Sequence, residues 1–99
     1  MSILAPFQPR RGQNLTATSA ASSASVSLDS QAKSVRLVNN GANICFVRIG
    51  AGAQTATTAD MPVRAGSEIV VTKGDGEDTL AHISATGTTL YIQTGEGGI

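Results

Sequence analysis

The chain has 99 residues, and its seven basic and seven acidic side chains give a formal net charge of zero. This balance offers no electrostatic attraction for nucleic acid or an anionic membrane, and no apolar run approaches the ~20 residues that span a bilayer. Only 3% of the residues are aromatic, and many of the hydrophobic residues are alanine. A small domain with so thin a core often gains stability by assembly, so we expect self-association.

The N-terminal segment, residues 1–14, contains three large apolar side chains beside two prolines. The prolines prevent a regular helix and favour an extended backbone. Either the segment is a flexible chain end, or it is an arm that buries Ile3, Leu4 and Phe7 on a partner subunit. We favour the arm, because disordered tails rarely contain several large hydrophobic residues. Its apolar run is too short for a signal peptide, so we expect synthesis in the cytoplasm.

Residues 15–33 are rich in alanine, serine and threonine. Alanine suits a helix, but the interleaved hydroxyl side chains compete for backbone hydrogen bonds and argue against one. Apolar and polar residues alternate over 15–18 and 24–28, so we predict two short strands, followed by a turn at Asp29-Ser30.

The clearest alternation predicts a strand over 34–39. Asn40-Gly41 then gives a strong hairpin signal, because both residue types tolerate a positive φ, and a second strand follows over 44–50. The second strand has apolar side chains on both faces. We therefore expect it to be central in a sandwich or to lie at an interface.

A long connection of small residues, 51–66, precedes the last part of the chain. Within it, 61–63 is a candidate edge segment, since its proline lacks the donor of a strand ladder. A tight polar loop is predicted over 73–78 and a hairpin turn at Thr86-Gly87. The strands around these turns are predicted over 67–72, 79–85 and 88–94.

Short strands with frequent turn signals and no helical period are typical of an all-β fold. We predict a small antiparallel β-sandwich, jelly-roll-like, over residues 15–99. The extended N-terminal arm of residues 1–14 precedes it.

No group of side chains has the spacing of a catalytic or metal site. Cys45 is the single cysteine, and its place in a strand predicts a buried, inert thiol. His82 has no second histidine or cysteine at ligand spacing. Asp75, Glu77 and Asp78 lack the order of a calcium loop and are interpreted as a solvated turn. We therefore predict no enzyme activity, no catalytic residue, no metal and no cofactor.

Four stretches carry a resemblance to a known group of proteins. They are residues 34–41, 45–50, 60–68 and 90–97. This rhythm of V-N-x-G, V-R-x-G, P-V-x-x-G and Y-x-x-x-G-E-G resembles small β-sandwich virion proteins of tailed bacteriophages, in particular capsid cement (decoration) proteins. The resemblance carries no catalytic residues with it, and the N-terminal arm lies outside the pattern.

The resemblance implies a structural virion protein that decorates and stabilises a phage capsid by bridging capsid subunits. Its partners would be the major capsid protein and itself, as a homodimer or homotrimer, with no nucleic acid, membrane or small-molecule substrate. It would reside in the virion after assembly in the host cytoplasm. The alternatives are a small tail or head-fibre component and a ligand-binding β-sandwich module. Lack of tryptophan and scarcity of tyrosine weaken a sugar-binding version of the module.

Partner binding is assigned to a small set of apolar and basic side chains. They are Ile3, Leu4, Phe7, Arg10, Arg11 and Phe46. All but the last belong to the arm, whose two adjacent arginines are too few for a polybasic membrane anchor. Phe46 lies on the strand that is apolar on both faces.

Overall fold

The computed structural model describes residues 7–9 and 14–97. The regular structure of these residues is β-strand. They contain no helix that is long and apolar enough to cross a membrane. The strands are, in chain order, β1 (Gln8–Pro9), β2 (Leu15–Ser19), β3 (Ala24–Ser27), β4 (Ser34–Asn39), β5 (Cys45–Gly50), β6 (Met61–Val63), β7 (Glu68–Thr72), β8 (Thr79–Ile83) and β9 (Thr88–Glu96).

These strands form two antiparallel sheets. In the five-stranded sheet, β4 pairs with β7 on one side and with β9 on the other. The opposite side of β9 pairs with β2 along its first residues and with β1 near its end. The four-stranded sheet has the order β3-β8-β5-β6. The strand predicted over 44–50 is the inner strand β5, which confirms its expected central position.

The pairing between strands defines a jelly roll. β2 pairs with β9, β3 with β8, β4 with β7 and β5 with β6, as in one long hairpin whose tip lies between β5 and β6. Successive pairs of this hairpin belong alternately to the two sheets, which wraps it into a sandwich of eight strands with β1 added at one edge. This arrangement is the double-sheet jelly roll, and it confirms the predicted fold class.

The alternation of residues along each strand places the core between the sheets. On β4, Val35 and Leu37 are fully buried, whereas Arg36 and Val38 face outward and are half-buried. The buried apolar cluster draws on both sheets: Ala17, Leu28, Val35, Leu37, Cys45, Val47, Val63, Leu80, Leu90 and Ile92. Burying a Val, Leu or Ile side chain contributes about 1.5–3 kcal/mol, so this cluster holds the two sheets together.

The two predicted hairpins are wrong. Asn40-Gly41 joins β4 to β5 and Thr86-Gly87 joins β8 to β9, and in each case the two strands belong to different sheets. Gly87 has a positive φ of 89°, whereas neither residue of the first pair does. Both turns therefore cross from one sheet to the other. The two strands that each turn connects face each other across the core and do not pair side by side in one sheet.

The strands predicted between residues 15 and 94 are present, with small shifts at their ends. β8 ends at Ile83 because Ser84 turns away, donating its N–H to the Ala20 carbonyl at 2.8 Å. The segment at 61–63 is the edge strand β6. The backbone nitrogen of Pro62 faces the open side of this strand, so its missing N–H removes no hydrogen bond from the ladder.

Part of the predicted arm lies along the five-stranded sheet. Gln8 pairs with Glu96 and Pro9 with Gly95, so β9 extends beyond its predicted end. Phe7, which precedes this short strand, is half-buried. Ile3, Leu4, Arg10 and Arg11 lie outside the described residues.

Candidate binding surface

The outer faces of the two sheets differ in what covers them. The connection over 51–60 crosses the outer face of the four-stranded sheet, where the Ala56 N–H donates to the Ser23 hydroxyl at 2.8 Å. The Arg48 guanidinium on β5 donates to Asp60 at 3.0 Å near the end of the same connection. Ala81 belongs to this outer face and is nevertheless fully buried. The part of this face around Ala81 is therefore shielded by the protein's own chain.

The outer face of the five-stranded sheet carries a groove of about 340 Å³. Its lining residues come from β4, β9 and the residue before β2: Asn14, Arg36, Val38, Tyr91 and Gln93. The strand residues among them are half-buried, in the outward positions of the alternation. The groove is a concave surface that the described residues offer to a partner.

Arg36 is held in place across three strands. Its guanidinium donates to the Glu68 carboxylate on β7 and, at 2.8 Å, to the Gln93 side-chain oxygen on β9. Both ion-pair partners are partly exposed, and such pairs contribute about 0–1 kcal/mol to stability. The main effect of these bonds is to hold the flat, cationic guanidinium of Arg36 in one position in the floor of the groove.

The chemistry of the groove suits recognition of a polar surface. Tyr91 offers an aromatic ring and a hydroxyl, and that hydroxyl lies 3.5 Å from the Asn40 amide nitrogen. Asn14 and Gln93 offer amide donors and acceptors beside the apolar side chain of Val38. Aromatic rings flanked by adaptable hydrogen-bonding groups are typical of protein contact surfaces.

Cys45 is fully buried, which confirms the predicted core thiol. Burial raises its pKa to about 11. The thiolate is the reactive form of cysteine, so the folded chain keeps this group in its unreactive state.

His82 lies between the sheets, and its Nδ1 is 3.1 Å from the Ser19 hydroxyl on β2. Burial lowers the pKa of His82, so the ring is held neutral. A serine beside a histidine is the starting geometry of many nucleophiles, but here both residues are 2% exposed or less and no substrate reaches them. The pair is a core hydrogen bond, and no local pattern predicts it because the two residues are 63 positions apart.

The carboxylates of the 73–78 loop each have a separate partner within the chain. Asp75 forms an ion pair of 2.8 Å with Lys33, and this hydrogen bond lowers its pKa. Asp78 accepts the Gly52 N–H at 3.1 Å, and that backbone hydrogen bond lowers its pKa. The turn at this loop is as predicted, and no cluster of three metal-ligating side chains occurs in the described part of the chain.

The residues assigned to partner binding are not brought together by the described structure. Phe46 is half-buried on the outer face of the four-stranded sheet, where its register partners are Ile83 and Pro62. Phe7 adjoins β1 of the other sheet. The groove residues were not singled out from the sequence, although the alternation along β4 puts Arg36 on the face opposite Val35 and Leu37.

Comparisons of the chain with protein-family models, with curated proteins and with solved structures find no significant match. The jelly roll and the groove on its five-stranded sheet are therefore the features from which a function can be inferred.

Proposed function

We propose that this protein is a structural component of a tailed-phage virion that decorates the capsid and stabilises it by bridging capsid subunits. The observation that carries the proposal is the jelly-roll strand order with one outer face open as a groove. Viral capsid domains use this architecture, although fold alone does not fix function. The resemblance of the turn and strand rhythm to small phage virion proteins supports the same assignment.

The groove of the five-stranded sheet is the proposed contact with the major capsid protein. Its arginine is already paired and the net charge of the chain is zero. Docking through apolar and hydrogen-bonded contacts depends weakly on salt, unlike binding that relies on charge steering. Each copy needs only modest affinity, because many copies sharing lattice contacts act together.

The test uses phage particles that lack the protein. Such particles are expected to assemble but to lose DNA at a lower temperature, and adding back purified wild-type protein should restore their heat resistance. Heads that are equally heat-stable with and without the protein would end the cement proposal.

Two variants locate the contact face. Tyr91→Ala removes the aromatic ring from the groove, and Phe46→Ala removes the aromatic ring from the other sheet. We expect the first variant to lose binding to depleted heads and the second to retain it, with both checked for an unchanged circular dichroism spectrum. The reverse result would keep the cement function but move its contact to the face that carries Phe46.

The N-terminal arm provides a separate contribution to partner binding in this proposal. Deleting residues 1–6 removes Ile3 and Leu4 and leaves β1 in place. The truncated protein should fold normally and bind heads less tightly. Equal affinity of the two forms would remove the arm from the proposal.

A small tail or head-fibre component remains the alternative within the same class. It predicts that depleted particles keep heat-stable heads but fail to join tails or to adsorb to cells.

A ligand-binding module is the second candidate class, and the placement of Tyr91 beside two amide side chains favours it. It predicts that simple sugars shift the amide resonances of β4 and β9 in NMR titrations, whereas the virion proposal predicts no shift.

A further inference from the structure

β7 is an outer strand of the five-stranded sheet, and among the described strands only β4 pairs with it. Exposed strand edges are usually protected by lysine, proline, a bulge or a covering loop. β7 has the sequence Glu-Ile-Val-Val-Thr, with one charged residue and no proline. Its Ile69 is 37% exposed and is one of two large exposed hydrophobic side chains in the described residues.

The hydrogen bonds at the two ends of β7 show which of its backbone groups face the open edge. The Asn39 N–H donates to the Ser67 carbonyl at 2.9 Å, and the Lys73 N–H donates to the Lys33 carbonyl at 2.9 Å. Ser67 and Lys73 thus direct their backbone groups toward β4. In an antiparallel ladder this direction alternates from residue to residue.

Glu68, Val70 and Thr72 therefore present their N–H and C=O groups to the open edge. All three residues are exposed or half-buried. Open donors and acceptors of this kind pair readily with an added strand, which turns such an edge into an interaction surface.

We propose that two copies of this chain pair through β7, antiparallel, about a twofold axis that passes beside Val70. In this register Val70 lies opposite Val70 of the partner subunit, and Glu68 lies opposite Thr72 of the partner subunit. Every open backbone group on β7 is then hydrogen-bonded, and the two five-stranded sheets become one continuous sheet.

A second copy fits this edge because the strand is complementary to itself. Ile69 faces the core side, as its pairing with the buried Leu37 shows, and in the dimer it lies opposite Val71 of the partner subunit. The exposed part of Ile69 is thereby covered. The two Glu68 carboxylates are four residues apart along the pair, roughly 14 Å at ~3.4 Å per residue, which exceeds the ~10 Å screening length of 0.1 M salt.

The alternative registers are worse. A slip that places Glu68 opposite its own copy brings like charges together, which destabilises a cross-strand pair. Smaller slips leave part of the open backbone unpaired. The symmetric register about Val70 is therefore the one that the sequence of β7 selects.

The dimer also places both grooves on the same side of the continuous sheet, because the twofold axis is perpendicular to it. A bivalent particle would bind a repeated surface more tightly than either groove alone. This consequence rests on the proposed function, whereas the β7 pairing itself does not.

The register is tested by cysteine cross-linking of the full chain. Val70→Cys meets its own copy across the axis, at the Cα separation of ~5.5 Å that a hydrogen-bonded strand pair provides and a disulfide accepts. Thr72→Cys is the matched control, since it is exposed on the same strand but far from its own copy in this register. Native Cys45 is buried and does not compete.

Under mild oxidation we expect Val70→Cys to form a covalent dimer and Thr72→Cys to remain monomeric on denaturing gels. Cross-linking of Thr72→Cys to the same extent, or of neither variant, overturns the proposal.

Sedimentation of uncross-linked protein gives an independent test. Val70→Pro removes an N–H that points away from β4, so the fold keeps its ladder while the edge loses its central donor. The wild type should be dimeric at micromolar concentration, Val70→Pro monomeric with an unchanged circular dichroism spectrum, and Phe46→Asp still dimeric. A monomeric wild type, or a dimer that depends on residues 1–6 or on Phe46 instead of on Val70, overturns the proposal.

Discussion

The Thr88 hydroxyl donates a hydrogen bond of 2.6 Å to the side-chain oxygen of Asn39, although the two residues are 49 positions apart. Both are buried. The amide nitrogen of Asn39 donates to the carbonyls of Val63 and Asn43, each at 2.9 Å, and its oxygen also accepts the Gly41 N–H at 3.1 Å. The Asn39 carboxamide thus uses both of its donors and both of its acceptor positions. These hydrogen bonds connect β4, β6, β9 and the crossing between the sheets.

Asn39→Asp is expected to destabilise the fold strongly. The variant keeps the shape of the side chain but replaces two donors with an acceptor that faces two carbonyls. Each buried group left without a partner costs about 1–3 kcal/mol, so the loss should reach several kcal/mol. Urea unfolding measures it. The same change at the exposed neighbour, Asn40→Asp, is the control and should alter stability by less than about 0.5 kcal/mol; equal effects would contradict the network.

Gly41→Ala should destabilise by overcrowding, although Gly41 does not have a positive φ. An added Cβ would overlap the Thr88 hydroxyl and lie 2.8 Å from the Thr89 backbone nitrogen. Overpacking of this kind costs about 1–3 kcal/mol. In the double variant with Thr88→Ala, the Thr89 backbone clash remains. The alanine at position 41 should therefore still lower the unfolding free energy when it is added to Thr88→Ala. No loss in either background would show that the crossing has room for a side chain.

Stability should fall as the pH drops below about 6.5, the ordinary pKa of histidine. Burial lowers the pKa of His82 in the folded chain. Between the two pKa values the unfolded chain binds a proton that the folded chain does not, so protonation favours unfolding and the effect levels off below the folded pKa. The pKa values of Asp60, Asp75 and Asp78 are lowered from 3.8, so their contributions are lost only at more acidic pH.

Denaturant midpoints measured across this range test the assignment to His82. His82→Gln should remove the fall that begins as the pH drops below about 6.5. Because the chain has one histidine, its ring resonances also report the pKa of the folded wild type directly. A ring that titrates at or above the ordinary value would contradict the predicted direction.

The Cys45 thiol should react with a soluble thiol reagent only when the protein unfolds. Its burial and raised pKa leave almost no accessible thiolate at mildly alkaline pH. The labelling rate in increasing urea should follow the unfolded fraction. Cys45→Ala should cost about 1–2 kcal/mol through the cavity it leaves while binding to heads is retained. Rapid labelling in native buffer would disprove burial.

Much of the strand layout was predictable because alternation is a local property of the chain. Side chains on a strand alternate between two faces, so the periods around Val35, Val47 and Ile92 reveal the strands without knowledge of their neighbours. The same alternation predicted a buried position for Cys45. The hairpin prediction at Asn40-Gly41 was wrong, because the local preference of this pair for a hairpin was overridden by the pairing of β4 with β7 and β9.

Local sequence patterns were enough to predict an all-β chain, the positions of its strands and a buried, unreactive thiol, because each depends on residues close together in the chain. The three-dimensional fold was needed to show which strands pair, that Asn39 and Thr88 meet, that Arg36 and Tyr91 share a groove, and that β7 is an edge strand among the described strands. These features join residues tens of positions apart. Their energies come from burying two sheet faces against each other, and no local pattern encodes which faces meet.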